Sequence, residues 1–390
     1  MSSARTFNPR GGSVSKWSTS TVAEKSSPRV ERFHTTITER GGFRSCRRRW
    51  HLEDVQHLTH KDRVAWALIF GEAIHKGLEG YYKNNRNVKR ALSYFKKQWL
   101  SERDRLQDLY GGLYSAGIGD EWVSWDEKGE TMLRYYDVYD RQAEFNWDKV
   151  IEVVNVETRL YVNILDPNGE KIEGLPLLSG RPDLIVKRKD GIWIVDHKTA
   201  ASAYDARALD VDDQLTGLAY LWWRLSGDVP RGALYNALIK EPPHPPKILK
   251  DGTPSKDKAQ RTTYDLYIQA LKDCGIRQWG DYEEILGYLE RKKWNQFFVR
   301  DGLQKNEEEL DSFELRLYME YEDMKKCIEQ PVYAYPNPSQ MNCGSCSVLP
   351  ICQAMEEQSN SVYVIDNMYR VDEPRVTIPS KYLSPRWKGV

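Results

Sequence analysis

Residues 180–199, GRPDLIVKRKDGIWIVDHKT, decide how the rest of the chain is read. Asp183 to Val186 is a short run that turns apolar behind an acid. Lys187 to Gly191 is a basic turn, and its closing Asp190-Gly191 is a hairpin signal. Ile192 to Val195 is apolar without alternation, which suits a strand buried on both faces. Asp196, His197 and Lys198 follow directly. Side chains two apart on a strand share a face, so Asp196 and Lys198 point the same way. In a hairpin of this length Asp183 can lie across from Asp196, although the sequence leaves that register open. Two carboxylates and an ammonium at the end of a buried sheet are costly unless something binds there. A divalent cation would account for the carboxylates, and Lys198 could act on a water beside it. A surface hairpin carrying an ion pair is the plain alternative for so short a motif.

Pro182-Asp183 followed by Asp196-His197-Lys198 resembles the signature of the PD-(D/E)XK nuclease superfamily. The buried strand ahead of Asp196 and the glycine three residues before Asp183 favour that reading over the plain one. Residues 62–84 read as a helix, with Val64, Ala67, Leu68, Ala73, Ile74 and Leu78 near helical spacing. Within it Gly71 and His75 form G-x-x-x-H, which is similar to the first motif of the RecB-like branch, where the histidine is a metal ligand. Gln214 stands where that branch carries Q-x-x-x-Y, a motif whose glutamine contacts DNA and helps order the site. The tyrosine position is Leu218 here. Tyr220, two residues further on, is about 200° round the helix and is no simple substitute.

Six cysteines punctuate the chain, and in a reducing compartment disulfides between them are not expected. Cys343, Cys346 and Cys352 form C-x2-C-x5-C in a Pro-, Asn-, Gly- and Ser-rich segment able to wrap a metal centre. One early cysteine, Cys46, with this late triplet resembles the iron–sulfur staple of RecB-like nucleases, as in AddB-type subunits and CRISPR-associated exonucleases. That resemblance implies a 4Fe-4S cluster on four thiolates, with zinc as the alternative ion. Cys274 and Cys327 fall in helical patterns and read as core residues.

The remaining chain fits around these points. Residues 1–38 read as a flexible polar arm without an apolar leader core. Arg44, Arg47, Arg48 and Arg49 flank Cys46, as either a solvated face or phosphate contacts. Residues 88–147 read as a helical insertion whose tryptophans and tyrosines are mostly core, and Val150–Leu165 reads as one strand holding Glu157, a weaker acidic candidate. After the hairpin come a helix over 205–226 and a strand over 233–239. A Pro- and Lys-rich stretch, 241–263, reads as an exposed loop, either phosphate-gripping or a loose insertion. Helices are expected at 264–271, 281–291 and 307–327, with a strand at 295–300. The cysteine segment spans 331–357, and no chemistry is legible in the tail, 358–390.

Lys plus Arg and Asp plus Glu both number 57, so net charge is zero and a nucleic-acid partner rests on local patches alone. No apolar run approaches membrane length, and cytoplasmic residence is the default expectation. The order strand, hairpin, helix, strand agrees with an αβββαβ restriction-endonuclease-like core, α/β with a mixed sheet, within residues 39–330. The resemblance implies a Mg²⁺- or Mn²⁺-dependent deoxyribonuclease, expected as an exonuclease in recombination, repair or end-processing, including in a phage. Its metal ligands would be His75, Asp183, Asp196 and the main-chain carbonyl of His197. Asp183, Asp196 and Lys198 would be catalytic, and the products would carry 5′-phosphates. DNA is the implied partner, and no helicase P-loop is present, so unwinding would need a helicase or recombination partner. A non-catalytic nucleic-acid-binding or scaffold subunit with a structural metal centre is the alternative of another class.

Overall fold

The computed structural model describes residues 33–115, 117–142, 150–202, 209, 212–294 and 296–373. Its centre is a mixed five-stranded sheet built from β3 (Val150–Val156), β6 (Leu184–Arg188), β7 (Gly191–Ala200), β8 (Gly232–Ile239) and β9 (Phe298–Gln304), in that spatial order. β7 and β8 are parallel and the other neighbours antiparallel. A smaller sheet orders β1 (His34–Thr36), β5 (Leu177–Gly180) and β4 (Leu160–Asn163). β2 (Leu58–His60) pairs with β10 (Tyr369–Val371).

Helices cover both faces of the central sheet. On one lie α3 (Trp66–Lys83), α4 (Val88–Tyr110) and α5 (Gly119–Gln142), which with Leu184, Val186, Trp193 and Val195 close the larger core. Ile185 and Ile194 face the other way. They meet α1 (Ile37–Ser45), α6 (Asp213–Ser226) and α9 (Glu307–Glu329). The unalternated run Ile192–Val195 is thus covered on both faces, as its sequence predicts. The short α2 (Arg47–Trp50), α7 (Tyr264–Asp273), α8 (Glu283–Lys292), α10 (Gln340–Cys343), α11 (Leu349–Glu356) and α12 (Ser361–Met368) complete the chain. No helix among the described residues is long and apolar enough to cross a membrane.

Local chemistry sets the element ends. Thr36 and Glu39 form a capping box on α1. Asp212 caps α6 through the Leu215 amide, and Gly227 ends it at φ +79°. Asn306 caps α9, whose first turn holds three glutamates. Arg40 is fully buried and ties α1 to Asp213 of α6 (3.2 Å) and Glu320 of α9 (2.6 Å).

Several elements differ from the sequence reading. The expected strand over 150–165 is two strands in different sheets, broken at Glu157, whose φ of +56° cannot continue a ladder. The turn is shorter, since Lys187 and Arg188 still pair in β6 and Gly191 already opens β7. The strand near 295–300 runs instead from Phe298 to Gln304, and Asn295 lies outside the described residues. Of the helix read over 205–226, Asp213–Ser226 is described as helix. The 241–263 loop is ordered: Arg261 donates to the carbonyls of Glu241 (3.0 Å) and Gln296 (2.9 Å), and Lys258 pairs with Glu284. Residues 34–38, read as part of the arm, hold β1 and the start of α1, and the tail contributes α12 and β10. Trp99, Trp122, Tyr136 and Tyr139 are buried in the core beside the sheet, as read.

Candidate active site

The β6–β7 register pairs Leu184 with Val195, and one more step sets Asp183 opposite Asp196. Helix α3 crosses the end of β7 at Gly71, where an added Cβ would lie 3.2 Å from the Thr199 hydroxyl. One turn on, His75 shares that face of the helix. Its Nδ1 lies 2.9 Å from Asp183 Oδ1 and 3.8 Å from Glu157 Oε1. The other Asp183 oxygen accepts the main-chain N–H of His197. The positive φ at Glu157 turns its amide onto the Asp183 carbonyl (3.0 Å) and its carboxylate into the site. Glu157 Oε2 is 2.9 Å from Arg181 Nε. Asp196 Oδ2 is 2.7 Å from Lys198 Nζ, and Gln214 donates to Asp196 Oδ1 (3.3 Å).

The structure therefore brings His75, Asp183, Asp196, Lys198 and Gln214 to the same sheet end. Among the described residues, one group of three metal-ligating side chains has all its donor atoms within 4.8 Å, namely His75, Glu157 and Asp183. Glu157, the weaker candidate from sequence, belongs to this group, while Asp196 turns to Lys198 and Gln214. His197 meets Asp183 through its main-chain amide, and its imidazole stacks on Tyr82 at 5.5 Å, edge-on to the His75 ring at 6.3 Å. Tyr220 is fully buried against Phe313, well inside the core.

Electrostatics within the site are strongly coupled. Burial alone would push the His75 imidazole down, but Asp183 and then Glu157 hold it up to about 10. Burial opposes ionisation of Asp183 too, yet His75 holds it well below the usual carboxylate range. Asp196 is pushed up to about 6 by burial, against Lys198 and with Asp183 adding. Burial also raises Glu157. Lys198 is raised despite burial, by Asp196 and then Asp183. One imidazole and a close set of buried carboxylates is a donor set that suits a divalent ion, with the histidine favouring manganese over an all-oxygen preference.

A family model described as the PD-(D/E)XK nuclease superfamily matches residues 35–353. The chain belongs to the PD-(D/E)XK nuclease superfamily. No protein with a curated description matches it. Membership implies a metal-dependent nuclease with DNA as its substrate.

Behind the site the nuclease carries a buried polar network that no short motif announces. Asn236 Nδ2 donates to His197 Nδ1 (2.7 Å) and to the Tyr136 hydroxyl (3.0 Å). Arg300 donates to Asn236 Oδ1 (2.8 Å), to Tyr136 (2.9 Å) and to Asp140 (2.6 Å). Burial pushes His197 down to about 3, so the ring is neutral. The network joins β7, β8, β9 and α5, and it fixes the strand whose amide holds Asp183. Its members lie on four separate elements, so no local signal in the sequence gathers them.

Elsewhere in the nuclease, Cys46, Cys343, Cys346 and Cys352 help line one cavity of about 260 Å³. The Asn337 amide donates to Cys46 Sγ (3.4 Å) and Arg48 to Cys352 Sγ (3.6 Å). Cys327 is buried in the core, as read, whereas Cys274 is half-buried at the end of α7. The arginines around Cys46 are engaged with acids: Arg44 with Asp213, Arg47 with Asp323, Arg48 with Glu356 and Arg49 with Glu53. That pairing takes up much of the charge which the sequence offered for phosphate contacts.

Proposed function

We propose that this chain hydrolyses DNA phosphodiester bonds with Mg²⁺ or Mn²⁺ held by His75, Glu157, Asp183 and Asp196, together with the main-chain carbonyl of His197. The observation that carries the reading is the convergence of His75, Glu157 and Asp183 within 4.8 Å, beside an Asp196–Lys198 pair. A divalent ion there would neutralise charge on the scissile phosphate and acidify a water. The chain's own groups supply the rest. Lys198 keeps its proton between Asp196 and Asp183, so it acts as a fixed cation that orients the attacking water and offsets charge developing on the phosphate. Gln214 holds the Asp196 carboxylate and reaches toward the strand. The His197 amide fixes the second oxygen of Asp183. Cleavage on the 3′-oxygen side leaves 5′-phosphates.

An exonuclease acting in recombination, repair or end-processing is the narrower reading, supported by the RecB-like arrangement of His75, Asp183, Asp196, Lys198 and Gln214. It is tested by gel analysis of oligonucleotides labelled at either end, single- and double-stranded, with magnesium, manganese and EDTA. Metal-dependent laddering from one end is expected. No cleavage under any metal condition would leave a nucleic-acid-binding subunit in its place.

We also propose that the four cysteines hold a structural 4Fe-4S cluster. Zinc would need its sulfurs about 3.8 Å apart, given Zn–S bonds of about 2.3 Å. Here no three of the described cysteine sulfurs lie within 4.8 Å of one another, and all four cysteines are among the residues lining a cavity of about 260 Å³. Donors aimed at two of the sulfurs suit an anionic cluster.

A further inference from the structure

Two carboxylates of the metal group each have an arginine two residues away: Arg159 after Glu157 and Arg181 before Asp183. The β4–β5 register pairs Leu160 with Gly180, and one more step sets Arg159 opposite Arg181. Like charges directly opposite on neighbouring strands are destabilising. Little in the protein relieves this pair. Arg181 Nε reaches Glu157 at 2.9 Å, but Glu157 also faces His75 at 3.8 Å. Arg159 is half-buried, and its hydrogen bond goes to the Ser179 hydroxyl (3.3 Å), which His34 shares at 2.9 Å. No carboxylate lies within ion-pair distance of Arg159 among the described residues. Burial and then Arg181 lower its proton affinity. Arg181 therefore depends on a single carboxylate that a bound cation would also claim, and Arg159 has none within ion-pair distance among the described residues.

A crowded cationic pair short of an anion, set against a phosphate-cleaving centre, has an evident partner. Guanidinium groups present planar forks of donors that match phosphate oxygens. We propose that Arg159 and Arg181 clamp a non-scissile backbone phosphate of the substrate strand next to the metal group. The inference rests on the nuclease reading and deepens it, by naming a second point at which the strand is held. One phosphate at the metal group and a neighbour in the clamp would fix the register of cleavage. The clamp forms and breaks no bond, so its two arginines are positioning residues.

The test uses the full chain. Binding of fluorescent single-stranded and duplex oligonucleotides is followed by anisotropy in EDTA over a range of KCl, and cleavage is followed separately with manganese. Arg159→Gln should weaken binding about tenfold, the worth of one charge-assisted contact. It should also lower the slope of log affinity against log salt by about 0.7–0.9, as expected for one lost phosphate contact. Its loss in kcat/KM should fall mainly on KM. Its melting temperature should hold or rise, because half of a like-charge pair has gone. Arg159→Lys should keep the salt slope and recover part of the affinity. Arg134→Gln, an exposed arginine held by Glu130 on α5, serves as the control. If Arg159→Gln leaves affinity and slope unchanged while the wild type cleaves DNA, the clamp is overturned and the nuclease reading stands. A fall in melting temperature with an unchanged slope would assign Arg159 a structural role and also overturn it. A wild type that neither binds nor cleaves would defeat the nuclease reading itself, and the clamp with it.

Discussion

His75 and Asp183 stand 2.9 Å apart, and their attraction keeps a proton on the imidazole. With Asp183 and Glu157 holding it up to about 10 against burial, His75 is an imidazolium at pH 8. An imidazolium cannot ligate, so a cation that takes His75 must expel its proton. Calorimetric titration with Mn²⁺ at pH 8, in buffers of different ionisation enthalpy, should show close to one proton released per ion. His75→Ala should release none and bind more weakly; no release from the wild type would remove His75 from the ligand set. Asp196 gives a second pH signature. Burial raises it from 3.8 to about 6, so its folded value lies above the unfolded one. Its contribution to the stability of the metal-free protein is fully present below about pH 4 and is lost as pH rises through 6. The ion competes with that same proton, so metal affinity should fall as pH drops below 6. Asp196→Asn or Lys198→Ala should cut cleavage by a factor of about 10³ or more, read on gels, with the fold retained by circular dichroism. Asp183, Asp196, Lys198, His75 and Gln214 were legible because each belongs to a short pattern on one element. Glu157 was only half legible, since a left-handed residue in what reads as a continuous strand carries it into place. Arg181, Asn236 and Arg300 were invisible, because only the folded sheet brings them near.

Strands and helices follow the same logic one level up. The β6–β7 hairpin, α3 and β8 could be read from apolar runs and a turn signal, because burial on both faces leaves no other use for such residues. The three-residue strands β1, β2 and β10 could not, since so short a segment has no period to detect. The order of the 241–263 loop was hidden for another reason: it comes from Arg261 bonding to the carbonyls of Glu241 and Gln296, and Gln296 is far along the chain. Gly232 shows how tightly the central strands meet. It opens β8 between Trp193 of β7 and Leu303 of β9, and an added Cβ would stand 2.2 Å from the Leu303 carbonyl oxygen. Backbone, unlike a side-chain tip, cannot step aside there. Gly232→Ala should cost about 1–3 kcal/mol, seen as a lower midpoint in denaturant with an unchanged slope. An unchanged midpoint would mean that β9 does not lie against β8 at this point. Since β9 carries Arg300, the same variant should also loosen the support of His197 and weaken metal binding.

At the scale of the whole molecule, the first and last described segments meet. α1 and α2 pack with α9 and the segment beyond it through Phe43, Trp50, Met324 and Ala334, and β2 pairs with β10. Cys46 belongs to the first part of this joint, and Cys343, Cys346 and Cys352 to the second. A cluster linking them would close a loop of about three hundred residues. On the chain-entropy argument that closure could contribute as much as about 6 kcal/mol, an upper bound because the unfolded chain keeps some structure. The central sheet does not depend on it, since its two cores form without any cysteine ligand. Cys343→Ser should therefore lose iron, sulfide and visible absorbance together, and its melting temperature should fall. Proteolysis should then begin around α1, α2 and α10–α12, while fragments holding β6–β8 persist. Metal binding by His75 and Asp183 should survive in whatever remains folded, because no cysteine of the cavity touches them. A Cys343→Ser protein that is colourless, fully active and as stable as the wild type would rule out the cluster. A wild type containing stoichiometric zinc and no iron would instead keep the joint but change the ion that makes it.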